Sequence, residues 1–230
     1  MITITPTYNY KELTRKSVDG KRMYENPYGD PVPSVTTVLS ATQPAEKQAA
    51  LANWRKRVGT EEAQRITTSA ANRGTVMHNI LEHWALGQYD TYNPGNNIVH
   101  RQAKKMADVV IENIENDIDE IWGTEVMLCA ANLYAGTTDL VGIYKGKPTI
   151  MDFKQTNKPK KREWIDDYFL QGAAYAIAHN EMFDTKIESI AIFMCSGDCE
   201  WQLFETETAD FAYWTTEWAK RLSQYYGMQL

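Results

Sequence analysis

The apolar positions of this chain change period about halfway along it. In the first half they repeat as on a helix. Met77, Ile80, Leu81 and Trp84 fall at i, i+3, i+4 and i+7, with Gly87 as terminator. Pro44-Ala-Glu-Lys opens an earlier helix through Trp54 and Val58, proline being tolerated in a first turn, and Thr60-Glu61-Glu62 starts another. A further helical stretch runs from His100 to Trp122, closed by Gly123. Residues 1–33, with several Tyr, Gly and Pro, read as loops or an edge hairpin.

From residue 125 onward short apolar runs alternate with turn signals. Strands are expected over Glu125–Ala130, Thr137–Tyr144 and Thr149–Gln155, the last two joined by a turn within Lys145-Gly146-Lys147-Pro148. Trp164–Asn180 returns to a helix with Ile165, Tyr168, Phe169, Gly172 and Ala176 along one side. Ile187–Cys195 and Glu200–Phe204 are strands, and Ala209–Tyr226 is a closing helix. This order predicts an α/β fold: a mixed central β-sheet flanked by helices, with an N-terminal helical lobe. No internal repeat appears, so residues 1–123 (loops and lobe) and 124–230 (core) are expected to form one integrated domain.

Length and composition narrow the class. The 230 residues, 43% hydrophobic and 23% charged, suffice for a core without disulfide or metal staples. No apolar run approaches the roughly 20 residues of a membrane span. The opening MITITPTYNYKEL lacks the basic start and apolar middle of a signal peptide, so a cytoplasmic protein without membrane contact is expected. Three cysteines are too few for a disulfide framework or a four-thiolate cluster. The net charge of −6 argues against nonspecific coating of nucleic acid, but the charge is unevenly spread. Residues 145–162 carry seven cations against Asp152 alone, whereas residues 181–230 carry nine acids against three bases. One cationic segment on an anionic body suggests an anionic ligand delivered to a defined place, although such a run is often just a solvated loop.

The hairpin concentrates chemistry. Asp152 and Lys154, two apart on a strand, share a face. If Lys145-Gly146 is the loop, Asp139 lies opposite Asp152; if Gly146-Lys147 is the loop, Asp139 lies opposite Lys154 and diagonal to Asp152. Either register gathers three charged side chains beside apolar Val141, Ile143 and Ile150. Two carboxylates there need a cation. A structural salt bridge to Lys154 neutralises one of them; a hard divalent ion, Mg²⁺ or Mn²⁺, satisfies both. Gln171 and Tyr175 are i, i+4 neighbours on the following helix, and His78 and Glu82 are one turn apart on an earlier one.

GTTDLVG, TIMDFKQT and YFLQGAAYAIA, in that order with the two Asp 13 positions apart, resemble the PD-(D/E)xK nuclease superfamily and more narrowly its RecB-like exonuclease branch. Pro33-Ser34-Val35-Thr36-Thr37 and Arg73-Gly74-Thr75-x-x-His78 are similar to the phage and mitochondrial-genome-maintenance exonucleases within it, so the likeness runs from about Tyr28 to Ala178. The resemblance implies a restriction-endonuclease-like core in which His78, Asp139, Asp152 and the Phe153 carbonyl hold Mg²⁺ or Mn²⁺. Glu125 could complete a second metal site. Lys154 would be the catalytic lysine, Gln171 would orient the active face, and Tyr175 would bind DNA backbone or brace the site. Ser34, Thr36, Arg73, Thr75, Lys158, Lys160, Lys161 and Arg162 would contact DNA, with help from Arg55, Lys56 and Arg57. Trp54 and Trp164 could stack on bases, though core packing is the expectation for both. No iron–sulfur cluster is expected. The activity implied is exonuclease action on single-stranded DNA or DNA ends, in DNA replication, recombination, repair or phage metabolism, beside a recombination or single-strand-binding partner. A noncatalytic DNA-binding or recombination-partner module and an endonuclease of the same fold stay open beside it.

Overall fold

The computed structural model describes residues 3–27, 29–206 and 208–227, with the backbone alone for Thr208; Tyr28, where the resemblance begins, lies outside the described residues. The architecture is the mixed sheet with flanking helices. A six-stranded sheet has the order β1-β5-β6-β7-β8-β9, from Thr3–Ile4, Ile118–Ala130, Tyr134–Tyr144, Lys147–Thr156, Ser189–Ser196 and Trp201–Glu205. Strands β5, β6 and β7 form an antiparallel meander, and β7 and β8 run parallel around the crossover helix α5 (Asp166–Phe183). On one face lie α1 (Val35–Ala41), α5 and α6 (Thr208–Tyr226), sealed by Val141, Ile150, Ile190, Ile192, Phe169 and Trp218. On the other lie α3 (Thr60–Ala85) and α4 (Ile98–Ile114), where Met77, Ile80, Leu81, Met106 and Val110 meet Leu140, Met151, Phe153 and Phe193. The period-2 alternation of β7 and β8 divides these two cores.

Two expectations need correction. The helix read from His100 to Trp122 stops at Ile114; Ala103, Met106, Ala107, Val110 and Ile114 are its buried stripe, and a turn over residues 115–117 hands the chain to β5. Strand β5 therefore runs through the 123/124 boundary, and Gly123 ends nothing: it lies within the strand, where a Cβ would meet Tyr10 and Val126 side chains at 2.6 Å. Residues 1–33 hold more than loops or one hairpin. Besides β1 they form a separate antiparallel sheet, β2-β3-β4, from Arg15–Val18, Lys21–Asn26 and Gly29–Pro33. Tyr24 anchors that sheet, buried with Val32, Cys129 and Ala135.

Between β6 and β7 the first of the two registers is the one formed. Tyr144↔Lys147 and Leu140↔Met151 make Lys145-Gly146 the loop, with φ of 48° and 74° as a two-residue hairpin of the favoured hand requires. Helix α2 (Ala45–Val58) has no buried residue and reaches α3 through Gly59 at φ 87°. The first turns of α3 are also largely exposed, so these two helices form an arm beside the core. No described helix is long and apolar enough to cross a membrane.

The N-terminal segment is pinned by a buried histidine. His179 of α5 sits among Tyr8, Trp122 and Phe183, hydrogen-bonded to the Tyr10 hydroxyl at 3.0 Å and to Thr185 Oγ1 at 2.8 Å. Burial pushes His179 down to about 4. Since the unfolded chain protonates it near 6.5 and the folded one does not, stability drains away as pH falls from about 6.5 to about 4. Melts of the wild type and His179→Gln across that range should diverge, the wild type falling more steeply by at most about 1.4 kcal/mol per pH unit. Parallel pH profiles would refute this role for His179.

Candidate metal centre

The β6–β7 ladder ends at Leu140↔Met151, and the next residues, Asp139 and Asp152, stand where the two strands part. The Phe153 N–H donates to Asp139 Oδ2 at 2.7 Å. A side-chain oxygen thus replaces a ladder acceptor, which keeps a buried backbone donor satisfied while the strands diverge. Through this fork, residues from both helical layers meet. His78 comes from α3, its Nδ1 3.3 Å from Asp139 Oδ1 and its ring edge-on to Phe153. Gln171 and Tyr175 come from α5, joined by a Gln171 Nε2 to Tyr175 Oη hydrogen bond of 3.1 Å.

Each carboxylate has its own environment. Asp152 is 3% exposed and paired with Lys154. Burial pushes Asp152 up to about 6, against the pull of the Lys154 ammonium. Burial would raise Asp139 too, but the positive His78 and Lys154 outweigh it and hold Asp139 below the usual carboxylate range. Burial opposes charge on Lys154 and His78, and the two aspartates overcome it, raising both. Lys154 is further held over the Tyr168 ring, 5.0 Å from its centroid.

Glu125 completes the group. The β5–β6 pairs Thr124↔Leu140 and Val126↔Thr138 place it opposite Asp139. Its φ of 48° is left-handed, a conformation that costs a non-glycine residue about 1–2 kcal/mol in mid-strand. That kink turns the carboxylate toward the fork. Although Glu125 remains exposed to solvent, the partial desolvation of its carboxylate in the fork and then the neighbouring Asp139 push it up to about 7. Ligand atoms of His78, Glu125 and Asp139 all lie within 4.8 Å of one another. One imidazole and two carboxylates at that spacing suit a hard divalent cation such as Mg²⁺ or Mn²⁺. Asp152, turned to Lys154, stands beside this triad rather than in it.

A cavity of about 220 Å³ opens over the triad, lined also by Ser34, Thr36, Gly136, Gln171, Tyr175, Arg15 and Arg22. Gly136 is needed for close approach: a Cβ there would stand 2.7 Å from the Tyr175 ring. Ser34 caps α1 by accepting from the Thr37 N–H at 3.0 Å. The remaining expected contacts are dispersed. Arg73 is 7% exposed, donating to Gln155 at 2.8 and 2.9 Å and to Asn157 and Gln102; with Gly74 packed on Gln155, it clamps α3 to the end of β7. Thr75 Oγ1 donates to the Ala71 carbonyl. Arg162 is turned to Asp210 and the Glu205 carbonyl, and Lys161 to Glu163. Lys158 is exposed and Lys160 half-buried in the loop after β7. Core packing fails for Trp164, which is 55% exposed with Lys161 over its ring, while Trp54 is half-buried on the arm. Glu125 carried no period or motif of its own, and Arg15 and Arg22 were not singled out by sequence; their one signal was the basic composition of residues 11–22.

No family model matches the chain. It is 27% identical over 208 residues to mitochondrial genome maintenance exonuclease 1 of Mus musculus, covering 84% of this chain and 59% of that protein. The Homo sapiens protein of the same name is 26% identical over 209 residues, covering 84% of this chain and 58% of its own length. The chain thus spans under two-thirds of the length of these relatives. A solved structure from Eubacterium rectale overlays with a TM-score of 0.42 at 13% identity, covering 69% of each chain.

If the triad holds a cation, saturating Mn²⁺ should raise the melting temperature of the wild type by several degrees. Glu125→Gln should lose most of that rise yet melt no lower than wild type without metal, because it removes a carboxylate facing Asp139. An undiminished Mn²⁺ response in Glu125→Gln would take Glu125 out of the site.

Proposed function

We propose that this chain, a PD-(D/E)xK-like nuclease related to the mitochondrial genome maintenance exonucleases, is a divalent-cation-dependent deoxyribonuclease acting on single-stranded DNA or DNA ends. The observation that carries the reading is the fork, where the His78–Glu125–Asp139 donors stand within 4.8 Å of one another beside the buried Asp152–Lys154 pair. His78, Glu125 and Asp139 would hold the cation, with Asp152 and the Phe153 carbonyl at its margin. Bound there, Mg²⁺ or Mn²⁺ supplies Lewis acidity toward a phosphoryl oxygen and toward water.

The chain's own groups do the remaining work. Lys154 Nζ, fixed by Asp152 and the Tyr168 ring, donates a hydrogen bond to a phosphate oxygen or to the attacking water. Tyr175, locked by Gln171 and by the absence of a side chain at Gly136, braces the wall against which the strand lies. Ser34 and Thr36 offer hydroxyls to the backbone from the same cavity. The arm of α2 and α3 carries Arg55, Lys56 and Arg57 on exposed turns, and with Lys158, Lys160 and Lys161 it supplies salt-sensitive attraction for phosphates. The likeness to proteins named exonucleases favours strand ends over internal duplex sites.

End-labelled single-stranded DNA, duplex DNA and closed circular DNA, each incubated with the chain and Mn²⁺, should be degraded in that order, the circle not at all. Lys154→Gln keeps a donor for Asp152 while removing the ammonium. It should lower cleavage about 10²–10³-fold with the Mn²⁺-induced melting shift retained. Cleavage of the circle would make the chain an endonuclease, and full activity in Lys154→Gln would end the role given to Lys154.

A further inference from the structure

The small sheet β2-β3-β4 brings a second charged element to the cavity. Residues 11–22 hold Lys11, Arg15, Lys16, Lys21 and Arg22 against Glu12 and Asp19, a net of +3 on a chain of net −6. Their placement follows from strand register. Arg15 pairs with Tyr24 and Ser17 with Arg22, so Arg15, Ser17, Arg22 and Tyr24 share one face of the sheet. Tyr24 fixes which way that face looks: it is buried, and its hydroxyl lies 3.3 Å from Thr137 Oγ1 on β6, two residues before Asp139. The backbone of Arg22 is fixed as well, its carbonyl accepting from the Ser34 N–H at 2.9 Å and the Thr37 hydroxyl at 3.0 Å.

Arg15 and Arg22 therefore line the same cavity as His78, Glu125 and Asp139, with Ser34 and Thr36 among the residues lining it too. Neither arginine enters an ion pair among the described residues, whereas Lys16 on the opposite face is taken by Glu25. Two uncommitted guanidiniums beside two hydroxyls are suited to a phosphate group, which arginine grips through paired N–H donors. At about 220 Å³, some seven waters at roughly 30 Å³ each, the cavity has room for a phosphate and its sugar. Depressions lined by Lys16, Ser17, Gly20 and Lys21 continue outward from Arg22.

We propose that Arg15 and Arg22 form a phosphate subsite that holds the nucleic-acid strand beside the group that the His78–Glu125–Asp139 end receives. The small sheet is then a positioning clamp: it sets how far the strand enters and hence which bond meets the cation site. This rests on the nuclease reading for its consequence, but strand binding by the arginines can be measured apart from cleavage.

Binding of a labelled single-stranded oligonucleotide in EDTA, across a salt series, is the test. Arg15→Ala and Arg22→Ala should each weaken binding about 5- to 20-fold at low salt and flatten the slope of log affinity against log salt by about 0.7. Arg22→Lys should restore the slope but only part of the affinity, and Lys186→Ala, a charge change in the segment between α5 and β8, should alter neither slope nor affinity. In cleavage, KM should rise with kcat within about threefold. Oligonucleotides with 5′-phosphate, 3′-phosphate and hydroxyl ends separate the sources. An effect confined to one phosphorylated end assigns the subsite to a terminal phosphate, and an equal effect on all assigns it to an internal phosphodiester. Wild-type affinity and slope in both alanine variants, with unchanged melting, would overturn the proposal even if the wild type cleaves DNA. A fall in kcat alone would also overturn it, because the arginines would then act on the reacting group. A wild type that neither cleaves nor binds metal, yet shows the arginine effects, would defeat the nuclease reading and leave the subsite standing.

Discussion

Two aspartates forced side by side where a sheet splits are the constraint around which the molecule is arranged. Asp139 and Asp152 stand one step beyond the last β6–β7 pair, where the strands part, in surroundings that disfavour charge. Leaving carboxylates buried without compensation costs several kcal/mol per charge. Compensation here comes from three directions. Lys154 neutralises Asp152 from the same strand, the Phe153 N–H bonds Asp139 from the neighbouring strand, and His78 approaches Asp139 from the layer behind. Glu125 then adds a further acid beside Asp139, its ligand atom within 4.8 Å of those of His78 and Asp139.

The rest of the fold keeps these groups in register. Helix α3 must hold His78 at the fork, and it is tied there by Arg73 and by Gly74, whose missing side chain lets Gln155 approach to where a Cβ would stand 3.1 Å away. Helix α5 must hold Gln171 and Tyr175, and it reaches the sheet at Gly172, where a Cβ would meet Ile190 at 2.5 Å. Gly136 makes the same accommodation for the Tyr175 ring. Three glycines thus permit close approach where a larger residue would push a functional helix outward by the width of a methyl group.

Charge is divided between holding the fold and meeting a ligand. The cationic run at residues 145–162 is the conspicuous one in sequence, yet Lys145 pairs with Asp117 and Glu205, and Arg162 with Asp210 and the Glu205 carbonyl. Through Glu205 and Asp210 these fasten the hairpin and the loop after β7 to the acidic C-terminal third, and through Asp117 the hairpin to the turn before β5. The less conspicuous basic stretch on β2 and β3 leaves Arg15 and Arg22 over the cavity. A charge count locates cations along the chain; only packing decides which are spent on internal partners.

Local periodicity and short-range chemistry were enough to read most helices and strands, the mixed sheet, and the grouping of Asp139, Asp152 and Lys154, because a two-residue hairpin fixes which side chains share a face. His78, Gln171 and Tyr175 were legible through motif order. Three things were not. The helix expected to reach Trp122 gave way to β5 because Ile118 and Ile121 are paired into the sheet, Ile118 with Tyr144 and Ile121 with both Ile4 and Gly142. The choice between two hairpin loops depended on Lys145 accepting a left-handed conformation. The prominence of Glu125, and the reach of Arg15 and Arg22 into the cavity, come from a left-handed kink and a separate small sheet folding over β6. Sequence spacing determines what lies on one face of one element; which faces meet across a fork is decided by long-range packing, whose energy no local window contains.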